Sequence, residues 1–155
     1  MDIQYGVNAD QNVIDSYSPE YIIFATGANA VHPKAFSGDH VVTVTDVLNG
    51  TVQYSGKKIC VIGSGMTGLE TSELLVEQGN QVSVIEMADQ IAPGAWFQQL
   101  DDAMPKLVQA DTQFYTSTKL ADILPSGIAV EDTKTGKKYT IECDGVVLSM
   151  GVRPD

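Results

Sequence analysis

At 155 residues the chain is long enough for one domain of ordinary size, and 43% hydrophobic residues suit a globular protein rather than a disordered one. A net charge of −11 with only 9 Lys+Arg argues against a nucleic-acid partner, whose phosphates need a basic surface. No apolar run approaches the roughly 18 residues of a membrane span, and no basic-then-apolar signal segment opens the chain, so a cytoplasmic protein without membrane contact is expected.

Residues 3–7 and 12–14 read as short extended pieces, and Ser18-Pro19 breaks the chain after them. Residues 21–25, all apolar, predict a buried strand that runs into Thr26-Gly27. Residues 32–38 are a linker by composition, and 41–44 are a short extended piece. Thr45 and Asp46 are placed to cap a short helical turn through Leu48. Residues 57–86 then carry the main βαβ unit. In its helix, Leu69, Ser72, Leu75 and Val76 share one face.

Beyond Pro93-Gly94, Trp96, Leu100, Ala103, Met104, Leu107 and Val108 recur at helical spacing. Pro105 is expected to kink or split that helix, and Trp96 is assigned to the core, with an interface role as its rival. Residues 113–116 are a further strand. The period then changes. Short strands at 120–124, 128–131 and 138–142, separated by turn residues, predict an antiparallel meander. Residues 144–149 return to a buried strand that ends near Gly151. The expected fold is α/β: a Rossmann-like parallel sheet with helices on one face and an antiparallel β-meander on the other.

The chemistry concentrates in Gly63-Ser64-Gly65-Met66-Thr67-Gly68, a G-x-G-x-x-G run between an apolar strand and a helix. The three glycines serve different needs. Gly63 allows a tight turn, Gly65 allows close approach of a pyrophosphate, and Gly68 allows helix to pack on strand. The helix N-terminus supplies amides and a positive dipole end, so no lysine is needed. Glu86 ends the next strand about 20 residues on, where an acid accepts hydrogen bonds from an adenosine ribose. Its charge repels a 2′-phosphate, and no arginine follows it, which favours NADH over NADPH.

Cys60 and Cys143 lie in separate apolar runs without C-x-x-C spacing and are expected to be buried, reduced thiols. His32 and His40 read as loop histidines, with no metal role.

Two stretches echo each other: residues 21–27 run on to Pro33, and residues 144–151 run on to Pro154. With the Ala25-Thr26-Gly27 turn, the glycine fingerprint, Glu86 and the run from Asp144 to Pro154, residues 21–155 resemble the middle of a pyridine nucleotide-disulfide oxidoreductase. Residues 13–28 resemble a narrower branch, the NADH:flavin oxidoreductases related to old yellow enzyme, including 2,4-dienoyl-CoA and 2-enoate reductases.

The resemblance implies that residues 1–33 are the end of a truncated FAD-type domain with its linker, and that residues 34–155 are an NAD(H)-binding domain. It implies a domain cut from a longer flavoprotein, whose FAD domain would be this module's partner. FAD, and in the narrower branch FMN and an iron–sulfur cluster, would lie outside the chain. It carries over no catalytic residue. Gly63, Ser64, Gly65, Met66, Thr67 and Gly68 would form the pyrophosphate cradle. Glu86 would hold the ribose, with Met87 beside the adenine. Glu70 would sit near the nicotinamide, or be a first-turn acid facing the helix dipole. Gly151 would give the nicotinamide room, or be a plain turn glycine. The rival readings are an FAD-binding Rossmann domain and a non-catalytic NAD-sensing module.

Overall fold

A computed structural model describes residues 2–154; Met1 and Asp155, the outer bounds of the two expected domains, lie outside the described residues. Five parallel strands form the central sheet: β2 (Val41–Thr43), β3 (Lys58–Ile62), β4 (Gln81–Ile85), β5 (Gln113–Tyr115) and β9 (Gly145–Leu148), in the order β2-β9-β3-β4-β5. Helices α2 (Val44–Leu48), α3 (Met66–Glu77) and α4 (Phe97–Gln109) link them. A three-stranded antiparallel sheet of β6 (Thr118–Leu124), β7 (Gly127–Asp132) and β8 (Lys138–Glu142) is inserted before β9.

Strand alternation divides the core into two layers. Cys60, Ile62, Ile85, Val146 and Leu148 turn to the meander, against Leu120, Ile128 and Val130. Ile59, Val61, Val82, Val84 and Val147 turn to the helices, against Val44, Val47 and Leu75. Covered on both faces, β9 and β3 from Ile59 onward have to be apolar, and they are; Lys58 at the start of β3 is exposed. The expected layering is therefore found.

Several local expectations need correction. Residues 12–14 are not extended. They lie in helix α1 (Gln11–Tyr17), where the Asp10 carboxylate accepts the Val13 N–H at 3.0 Å. Residues 21–25 form no strand, and Tyr21, Ile23 and Phe24 are 87%, 91% and 76% exposed. Apolar composition alone does not make a strand; a neighbour must take its backbone groups, and none among the described residues does.

The turn of α2 begins at Val44 with Thr43 as its cap. Asp46 reaches back from the third helical position to accept the Thr43 N–H at 2.8 Å and hydroxyl at 2.7 Å. Helix α4 runs unbroken through Pro105. Pro105 and Asp101, whose carbonyl loses the hydrogen bond, both face solvent, while Ala103 and Leu107 anchor the other side. Trp96 is not core. It is 76% exposed, just ahead of the helix.

The ends of the echoing stretches meet. β1 (Ala28–Ala30) pairs antiparallel with β10 (Val152–Pro154), and the Val31 N–H donates to the Gly151 carbonyl at 2.9 Å. The chain enters and leaves the α/β body at one place.

Candidate dinucleotide site

The site grows from the carboxyl ends of β3, β4 and β9, where an open α/β sheet offers its crevice. Three glycines shape the loop after β3 in three ways. Gly63 turns the chain at φ +104°, and a Cβ there would collide with the Ser149 carbonyl oxygen. A Cβ on Gly68 would collide with the Gly63 carbonyl oxygen. Gly65 instead faces open space, with no atom within 4 Å of where its Cβ would stand. So Gly63 and Gly68 are glycines because the fold leaves no room, whereas Gly65 opens an approach to the backbone. It is also the N-cap of α3, with no side chain capping the helix. The first-turn amides are thus left for an anion.

Glu86 follows β4, with its N–H donated to the Tyr115 carbonyl at 2.8 Å. Its Oε2 accepts the Ser64 N–H at 2.9 Å and the Ser64 hydroxyl at 2.6 Å; its Oε1 accepts the Ala88 N–H at 2.8 Å. Burial pushes the carboxyl up, but the Ala88 amide, the Ser64 hydroxyl and amide and the Met87 amide outweigh it and hold the group below the usual glutamate range. Glu86 is therefore ionised at neutral pH.

Gly63, Gly65, Glu86 and Met87 line one cavity of about 400 Å³. Ser149 and Met150, after β9, and Thr118, Lys119 and Leu120, on β6, close its other sides. Lys119 is the cation on its wall and pairs with Glu131 at 2.9 Å. Topology could have pointed to Ser149 and Met150, because β9 neighbours β3 and ends on the same edge. No local signal marks Thr118 or Lys119; only the docking of the meander brings them in.

The remaining candidates fall differently. Ser64 belongs to the fingerprint by position, but its side chain is fully buried and turned to Glu86 and the Ala92 N–H, the latter at 2.8 Å. Met66 packs its side chain against the cluster of Leu69, Ala92, Ala103 and Leu107. Thr67 and Glu70 are exposed on α3, and Glu70 is not among the residues lining the cavity. Met87 is 66% exposed at the rim. Gly151 has φ +88° with open space around its missing Cβ, which suits both a turn and a neighbouring ligand.

Cys60 and Cys143, distant in sequence, are both buried and free, and the neighbouring Cys143 together with burial pushes the Cys60 thiol up. His32 Nε2 lies 3.1 Å from the Phe36 carbonyl oxygen. Among the described residues no group of three or more His, Cys, Asp or Glu stands close enough to hold a metal, and no helix is long and apolar enough to cross a membrane.

The donor set fits a dinucleotide: an open backbone at Gly65, uncapped helix amides, and an ionised carboxylate on the wall of the same cavity. Known proteins resemble the chain in sequence and fold. The family described as pyridine nucleotide-disulphide oxidoreductase matches residues 4–155. The chain is 35% identical over 161 aligned positions to bilirubin reductase of Mediterraneibacter gnavus (strain CC55_001C), covering 100% of this chain and 24% of that protein. It is 33% identical over 159 positions to an NADH oxidase of Thermoanaerobacter brockii, covering 99% of this chain and 24% of that protein. It thus spans about a quarter of the length of these relatives. Among solved structures, a 2-naphthoyl-CoA reductase complex superposes with TM-score 0.77 at 26% identity, over 91% of this chain and 21% of that one. Thioredoxin reductase of T. acidophilum superposes with TM-score 0.69 at 20% identity, over 83% and 43%, a likeness of fold.

Proposed function

The chain belongs to the pyridine nucleotide-disulphide oxidoreductase family, and from that we propose that it is an NADH-binding domain which orients nicotinamide toward an FAD held elsewhere in a longer enzyme. The observation that carries the reading is the Glu86 carboxylate, ionised and set on the wall of the cavity that Gly63 and Gly65 line. When bound, the nicotinamide supplies the hydride. The residues of this chain bind and orient. Gly65 and the first-turn amides of α3 take the pyrophosphate, Glu86 accepts the ribose hydroxyls, Met87 covers the adenine, and Gly151 leaves room at the nicotinamide end.

A flavin domain would use a similar glycine loop and ribose acid. The β1–β10 ribbon supports the nicotinamide reading, because a body entered and left at one place suits a module inserted into another domain. Residues 2–33 are then the margin of that other domain, and the exposed Tyr21, Ile23 and Phe24 are surface it would cover. Placement in the old-yellow-enzyme branch rests on residues 13–28. FMN and an iron–sulfur cluster, if they belong to the enzyme, take no residue from this chain. A cytoplasmic location accompanies this reading.

Calorimetric titration of the purified chain with NADH and with FAD tests it. Saturable NADH binding by colourless protein is expected. Yellow protein that releases flavin on denaturation, with no NADH binding, would contradict it.

A further inference from the structure

Ser64 occupies a place in the glycine loop where the loop itself asks for no side chain. Yet its side chain is fully buried and every part of it is used. The hydroxyl donates to Glu86 Oε2 at 2.6 Å and accepts the Ala92 N–H at 2.8 Å, while the Ser64 N–H donates to the same Oε2 at 2.9 Å. One residue thus joins the glycine loop, the end of β4 and the segment leading to α4. Ala92 is buried and held at φ +47°, a left-handed conformation that favours glycine, and its N–H ends on Ser64.

The consequence falls on Glu86. A glutamate at a half-buried strand end has several rotamers of similar energy. The two Ser64 donors occupy Oε2 and hold the carboxylate in one orientation. Oε1, which takes the Ala88 N–H, is the oxygen left for an incoming hydroxyl. Glu86 and Lys119 are the charged residues lining the cavity, and Lys119 is engaged by Glu131. The orientation of Glu86 therefore comes from hydrogen bonds rather than from an ion pair.

We propose that Ser64 is a positioning residue, which fixes the Glu86 carboxylate against the ribose edge and thereby sets the preference for a free 2′-hydroxyl over a 2′-phosphate. The inference rests on the NADH reading given above. A carboxylate held in place cannot swing away from a phosphate, whereas an untethered one can, so discrimination depends on the tether and not on the charge alone.

The test is Ser64→Ala in this chain, read by NADH and NADPH titration across pH and by carboxyl carbon NMR of Glu86. Loss of a charge-assisted hydrogen bond is expected to weaken NADH about tenfold and to narrow the NADH-to-NADPH ratio by a similar factor. The acid midpoint of NADH binding and the Glu86 titration should both move up toward the ordinary glutamate range. Ser64→Gly removes the hydroxyl at a loop position that a glycine fits without added volume, so the same shifts are read there if Ser64→Ala does not fold. A lower melting temperature with an unchanged ratio and unchanged midpoint would overturn the proposal, because a loop staple alone behaves that way. Wild-type chain that binds both nucleotides equally would overturn the NADH reading itself, and the positioning role with it.

Discussion

Gly68 packs so closely on Gly63 that a Cβ at position 68 would collide with the Gly63 carbonyl oxygen and stand 2.9 Å from Ser149 Oγ. The first turn of α3 is thereby seated on the loop that leaves β3. Gly68→Ala must push the two apart. It should destabilise the fold by about 1–3 kcal/mol, the range for overpacked sites. Thermal unfolding of the variant checks this, and an unchanged midpoint would refute the close packing.

Gly65→Ala makes the opposite case. Its φ of −55° is ordinary for any residue, and its missing Cβ faces open space. Stability should change by no more than about 0.5 kcal/mol. NADH binding should fall at least tenfold, because the methyl occupies the pyrophosphate approach. Paired melting and binding curves separate the two effects.

Asn80 holds the far end of the same helix. Its side-chain amide donates to the carbonyls of Leu75 at 2.8 Å and Tyr54 at 2.9 Å, and its oxygen accepts the Lys57 N–H at 3.0 Å. The residue is 7% exposed. Asn80→Ala strands the Tyr54 carbonyl and the Lys57 N–H, while the Leu75 carbonyl keeps the backbone N–H of residue 80 at 3.1 Å; it should cost about 2–4 kcal/mol in chemical denaturation, with the cofactor site unaltered in the folded fraction.

Stability should also fall in acid. The Thr43 N–H and hydroxyl hold Asp46 below the usual aspartate range, and Glu86 is likewise held low. A carboxyl lowered in the folded state contributes its stability above the unfolded value and loses it as pH falls through the folded value. The melting temperature should therefore drop through the acidic carboxylate range, and Asp46→Asn should flatten that limb.

What is legible in the sequence follows the range of the forces involved. The glycine loop, β3, α3 and β4 are set by neighbours in the chain, so pattern alone locates them. The layering is legible as well, because the apolar runs at residues 59–62 and 145–148 require cover on both faces. Residues 21–25 mislead because an apolar run does not carry its own pairing partner. Trp96 misleads because helical spacing does not say where the stripe ends. Lys119 and the Cys60–Cys143 contact depend on how the meander docks, which no local pattern encodes. For Ser64 the motif places the residue in the loop, but the direction of the hydroxyl depends on where Glu86 and Ala92 come to lie.

Parallel titration of the wild-type chain and Glu86→Ala with NADH and NADPH addresses the central claim most directly. The wild type should bind NADH at least tenfold more tightly than NADPH. Glu86→Ala should weaken NADH and narrow that gap. Equal affinities in the wild type, or a variant indistinguishable from it, would remove Glu86 from the site and contradict the NADH assignment.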